Sequence, residues 1–149
     1  VGELLLFIHI LAAGSWLGAS VTQMIVTPSL QKVGGAPAAA WMRQTVRMGT
    51  AIFTPAAVIL LITGVWMVLR ESVYEFEQTF VAIGIVMVII GAVFGMRIFG
   101  PGGRELADLH EAGDTAKAGQ AHQRLAMFGS IDIVLLVFTI WAMVTRLGL

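Results

Sequence analysis

The chain has 149 residues, of which 58% are hydrophobic and 12% charged, with a mean hydropathy of +0.89. Soluble domains carry about a quarter charged residues, so this composition excludes a water-soluble enzyme and describes one integral membrane domain over residues 1–149. Nine basic and nine acidic residues cancel, leaving no bulk charge for a nucleic-acid partner, and the lack of cysteine removes disulfides, thiolate metal sites, iron–sulfur clusters and cysteine nucleophiles.

A bilayer core of about 30 Å needs about 20 mainly apolar residues in helical form. Four segments qualify, at about 4–26, 51–69, 80–99 and 125–145. Glu3 stands ahead of the first in place of a basic region, and no small-residue cleavage site follows a short apolar core, so it reads as a span and not as a cleavable signal. Val1 in place of Met is consistent with a missing initiator or leader. After span one, Gly34-Gly35-Ala36-Pro37 breaks the helix and starts another, with proline suited to a first helical turn. Helix over 37–69, kinked at Pro55, would measure about 50 Å and outrun the bilayer core. Gly100-Pro101-Gly102-Gly103 predicts an abrupt end to the third helix, with a short surface helix over 104–111. Asp114 is the expected N-cap of a long fourth helix through Thr145. The expected fold is all-α: a membrane four-helix up-down bundle with cytoplasmic helix extensions.

Basic residues set the expected orientation. Lys32, Arg43 and Arg47 lie between spans one and two, and Arg97, Arg104, Lys117 and Arg124 lie between or beside spans three and four. These seven oppose Arg70 and Arg146, so both termini and the 70–79 connection are expected outside a cell membrane. Trp66 and Trp141 fall at the outer ends of spans two and four, where an aromatic belt belongs. Gly14 and Gly18, and Gly91 and Gly95, form two GxxxG pairs that suit close helix packing. A faint internal likeness links Arg47-Met48-Gly49-Thr50 with 125–130 and Val65-Trp66-Met67 with 140–143, at unequal spacings.

Ionisable groups within spans are costly and are functional candidates by default. His9 lies near the outer end of span one, at a depth shared with Met67 and Met143. An imidazole among thioethers suits Cu(I), or a His/Met pair on a haem iron; it equally suits a hydrogen-bonded structural histidine among gap-filling methionines. His110 and His122 lie across the membrane from His9 and read as solvated loop residues. Asp132 lies about 10 Å into span four. Arg47, Thr50 and Thr54, Arg97, and Gln23 lie at similar or shallower depth on the other spans. A salt bridge to Arg47 or Arg97, completed by Gln23 and the threonines, is the structural expectation, and a proton- or substrate-handling carboxyl is the alternative. No phosphate loop, HExxH or serine–histidine arrangement is present, so no catalytic residue is assigned.

His9, Trp16 and Gly18, followed by Pro28-Ser29-Leu30, resemble the opening helix of the copper-resistance protein D-like superfamily of small integral membrane proteins, which includes uncharacterised four-helix members and, more distantly, the HemJ-type protoporphyrinogen oxidase. Residues 140–146 resemble the closing helix of the same four-helix members. The resemblance implies a haem- or copper-associated role, with His9 in the position of the first-helix histidine. The intramembrane lysine and second histidine of the HemJ type have no counterpart in spans two to four. The expected function is that of a non-catalytic accessory or binding subunit, surrounded by lipid and joined to other membrane subunits or to copies of itself. The alternative is a haem b or Cu(I) handling protein centred on His9.

Overall fold

A computed structural model describes residues 2–70 and 74–148. Four long helices account for nearly all of them: α1 (Gly2–Val33), α2 (Gly35–Arg70), α3 (Thr79–Ala112) and α4 (Thr115–Thr145). Each is long and apolar enough to cross a bilayer. No strand occurs among the described residues. Successive helices pack side by side and α4 returns to α1, giving an up-down bundle. Residues 71–73 of the α2–α3 connection lie outside the described residues.

The two connections at the extended end are built from backbone chemistry that is local in sequence. Gly34 (φ +69°) and Gly35 (φ +58°) turn the chain between α1 and α2 in a region that disfavours a Cβ. Gly113 (φ +73°) closes α3: its N–H donates to the His110 carbonyl at 3.3 Å, and the Asp114 N–H donates to the Leu109 carbonyl at 3.1 Å. Asp114 then caps α4 by accepting from the Lys117 backbone N–H at 3.1 Å, as its sequence position predicts.

Both inner helices widen where they meet the apolar segment. Residues Gly49–Phe53 of α2 and Gly95–Phe99 of α3 form π-turns. In each, the N–H five residues on closes the turn, Thr54 to the Gly49 carbonyl and Gly100 to the Gly95 carbonyl. The two stretches share the pattern Gly-x-x-Ile-Phe-x-Pro, ending at Pro55 and Pro101. Proline has no N–H and its ring crowds the carbonyl four residues back. An extra residue in the turn relieves that crowding while keeping the helix continuous. For this reason α3 does not stop at Gly100, contrary to the sequence expectation. It runs on to Ala112 and replaces the separate helix expected over 104–111.

The interior is a narrow seam. Trp16, Leu60, Met87, Val88 and Leu136 meet within the apolar layer. A second core of Ala39, Met42, Leu106, Ala107 and Ala118 sits in the extended end. Most remaining apolar side chains face outward, as lipid-facing residues do. Hydroxyls within the spans close onto their own helix: Ser15 donates to the Leu11 carbonyl at 2.8 Å, Ser130 to Ala126 at 2.9 Å and Thr139 to Leu135 at 2.8 Å. Of the two glycine pairs, only Gly91 serves the interior. The Trp16 ring fills the space its missing side chain leaves, while Gly14, Gly18 and Gly95 face open space.

Candidate functional site

Polar contacts cross the seam near each end of the apolar layer. His9 of α1 lies against α2, its Nδ1 at 2.8 Å from Thr63 Oγ1. The Thr63 hydroxyl also lies 2.6 Å from the Ile59 carbonyl, which can only accept. The threonine proton is therefore directed to Ile59, and the hydroxyl oxygen accepts from His9. That network assigns the proton to Nδ1 and leaves Nε2 with its lone pair. Gly64 lies against the ring: a Cβ there would stand 3.4 Å from His9 Cε1, in ordinary van der Waals contact.

The methionines expected beside His9 divide. Met67 is half-buried one turn beyond Thr63 on α2. Met143 of α4 rests its methyl group on Gly84 of α3 and packs with the Phe80, Val81 and Ala142 cluster. No group of three or more His, Cys, Asp or Glu side chains suited to a metal occurs among the described residues.

Toward the extended end, Trp16 ties all four helices together. Its Nε1–H donates to Asp132 Oδ2 of α4 at 3.3 Å. Its ring meets Phe53 of the α2 π-turn edge-on, with centroids 6.1 Å apart, and covers Gly91 of α3. Trp16 is 4% exposed and Asp132 5% exposed, so this is an interior contact. Asp132 Oδ1 is buried with no hydrogen-bond partner.

The salt bridge expected for Asp132 is not formed. Arg47 and Arg97 are exposed and belong to no ion pair among the described residues. The rest of the expected network is engaged elsewhere: Gln23 Nε2 lies 3.7 Å from Met48 Sδ, Thr50 donates to the Arg47 carbonyl at 3.1 Å, and Thr54 donates to the Gly49 carbonyl at 2.9 Å. The physical reason is depth. The arginines stand at the border of the apolar segments, where their charge can reach water, whereas Asp132 lies inside and meets an indole. Sequence reasoning missed Trp16 as the partner, although a buried indole N–H and a buried carboxyl each require one.

His110 also departs from expectation. It is 8% exposed, packed where α2, α3 and the end of α1 meet, and it is hydrogen bonded to Gln31 of α1. His122 is half-buried on α4. The second core, together with Trp41 Nε1–H donating to Thr27 at 2.9 Å and Arg43 pairing with Asp108 and Glu111 at 3.0 and 2.9 Å, makes this end a packed lobe, not a set of loops.

Four long apolar helices, tied to one another by hydrogen bonds across the seam, define a four-span integral membrane protein. The chain belongs to the family described as predicted integral membrane protein (DUF2269), whose model matches residues 3–147. No curated protein and no solved structure matches it.

Proposed function

We propose that the protein is a non-catalytic integral membrane subunit that binds other membrane chains, or a second copy of itself, through the outward surface of α1. The carrying observation is that Gly14 and Gly18 face open space, so the small-residue pair of span one is spare within the bundle. Ser15 between them bonds to its own helix and does not obstruct a close approach. The partly closed polar contacts support the same reading: His9 meets Thr63 and Trp16 meets Asp132, both as ties between helices. The division of basic residues supports a cell-membrane protein with both termini outside. Native gel electrophoresis of mildly solubilised membranes tests the proposal. The wild type is expected in a particle larger than the monomer, and Gly14→Leu with Gly18→Leu to reduce it to the monomer without loss of helicity. A wild type that runs as a monomer at every concentration would overturn it.

A second reading is favoured by the His9–Thr63 geometry. A histidine whose Nδ1–H is held by a neighbour presents Nε2 as a metal ligand in a fixed orientation. His9 would hold a haem b iron or Cu(I), Met67 is the thioether on the adjoining helix, and Thr63 would orient the ring. Met143 is committed to α3, so the donor set is narrower than a full three-residue site. The resemblance to copper-resistance protein D-like helices points the same way. A Soret band or stoichiometric copper in the purified protein, lost in His9→Ala, would establish this reading over the first. Their absence after reconstitution with haem and with Cu(I) would remove it.

A further inference from the structure

The glycines at 102 and 103 bring three helices to one point at the extended end. A Cβ on Gly102 would stand 2.7 Å from Leu125 Cδ2 of α4, and one on Gly103 would stand 2.7 Å from Val46 Cγ2 of α2. The residues that flank these contacts are arginines. Arg47 follows Val46, Arg104 follows Gly103, and Arg124 precedes Leu125. Arg97 lies seven residues before Arg104, about two turns back along α3, inside its π-turn. The Arg104 guanidinium folds back toward Gly100, where a Cβ would be 3.8 and 3.9 Å from its two terminal nitrogens. It is thus turned toward the apolar border and away from the polar tip of the lobe.

All four arginines are exposed, and none is in an ion pair among the described residues. The nearby acids are already engaged: Asp108 and Glu111 hold Arg43, and Asp114 holds Lys117, which leaves Glu105. Four like charges carried by three helices that meet at these glycines make this a basic surface that favours an anion. Each guanidinium offers a planar fork of donors that matches a phosphate. Their depth identifies the source of that phosphate. They stand within about one helical turn of the ends of the apolar segments, and Met96 and Met127 project outward beside them, 68% and 54% exposed. Acyl chains over those methionines would place a headgroup among the arginines.

We propose that this junction seats the headgroup of an anionic phospholipid, held by Arg47, Arg97, Arg104 and Arg124. The bare backbone of the Gly-Pro-Gly-Gly stretch is what lets the helices carrying them converge. This proposal is independent of subunit binding through α1.

The test is native mass spectrometry of the purified full chain, equilibrated in detergent with equal amounts of phosphatidylglycerol and phosphatidylcholine. The wild type is expected to retain phosphatidylglycerol in preference. The preference should fall about fivefold for each arginine changed to Gln, from the usual contribution of a basic residue at an anionic surface. Arg70→Gln and Arg146→Gln, at the opposite end, should leave it unchanged. Arg70 lies over the Trp66 ring and Arg146 over Tyr74, each 5.9 Å from the ring centroid. Helicity and elution volume verify the fold of every variant, and if the variant with all four arginines changed to Gln does not fold, the single substitutions Arg97→Gln and Arg124→Gln are read. Equal retention of the two lipids by the wild type would overturn the proposal. So would an unchanged preference in folded arginine variants, an equal loss in the opposite-end controls, or displacement of the lipid by inorganic phosphate.

Discussion

At the residue scale, the Trp16–Asp132 contact joins positions 116 apart in sequence and shows how a polar group is tolerated in an apolar layer. Asp132 Oδ2 accepts from the indole, and an amide oxygen can do the same. Asp132→Asn is therefore expected to retain the melting temperature in detergent, whereas Asp132→Leu strands the indole N–H and lowers stability by about 0.6–1.7 kcal/mol, the range of polar contacts within membranes. Trp16→Phe should cost more than the hydrogen bond alone, because the ring also fills the space over Gly91. Combining Trp16→Phe with Asp132→Leu should cost less than the sum of the two. Additive losses, measured by helix signal against temperature, would show that the contact contributes nothing. Outside the spans, the Lys117 backbone N–H, assisted by the Lys117 side chain, holds the Asp114 carboxyl below the usual carboxylate range. A depressed folded-state value means that the cap stabilises fully above the unfolded-state value and loses its contribution as pH falls through the folded one. Asp114→Asn keeps an acceptor at the N-cap, so it should flatten this part of the acid dependence; thermal unfolding followed from neutral pH downward measures the difference.

At the scale of elements, the π-turn ahead of Pro101 explains why that proline was misleading. Pro101 and its glycines read as a stop and Pro55 as a kink, because a sequence does not show whether a helix yields by breaking, bending or widening. Packing decides it: Gly102 and Gly103 are clamped by Leu125 and Val46, so continuing α3 is favoured over ending it. A π-turn is one inserted residue, and removing it should restore ordinary helix on both sides with every face still in register. Deleting Ala51 together with Pro55→Ala is therefore expected to preserve helicity and monodisperse elution. Deleting Val58, in the regular part of α2, rotates everything beyond it by about 100°. That variant should aggregate, because Leu60 and Thr63 would leave the seam. Loss of fold in the first variant, or survival of the second, would count against this account. The Asp114 cap was legible in advance because its bonds are local. The His110–Gln31 contact was not, because it depends on a second core formed by Leu106 and Ala107 against Ala39 and Met42, beyond the reach of hydropathy.

At the scale of the whole molecule, the four spans were legible from hydropathy alone, since only helix satisfies the backbone of apolar segments this long in lipid. The partners across the seam were not, because Met143 and Asp132 each chose a neighbour by shape: a glycine for the thioether, an indole for the acid. An orientation is predicted by the distribution of charge and is open to direct measurement. The helices extend beyond the apolar layer at the end that carries Lys32, Arg43, Arg47, Arg97, Arg104, Lys117 and Arg124, while Arg70 and Arg146 lie at the other. Basic residues close to span ends are retained on the cytoplasmic side, which predicts the packed lobe inside and both termini outside. The chain has no cysteine, so single ones report without background. Gly119 is exposed with open space around its backbone, and Glu77 is exposed in the connection at the opposite end, so neither replacement disturbs the seam. Glu77→Cys is expected to react with an impermeant maleimide on intact cells, and Gly119→Cys only after the membrane is opened. The reverse pattern would invert the topology and place the arginine junction in the outer leaflet. Labelling of both positions from outside would instead mean that the bundle does not span as an up-down pair of hairpins.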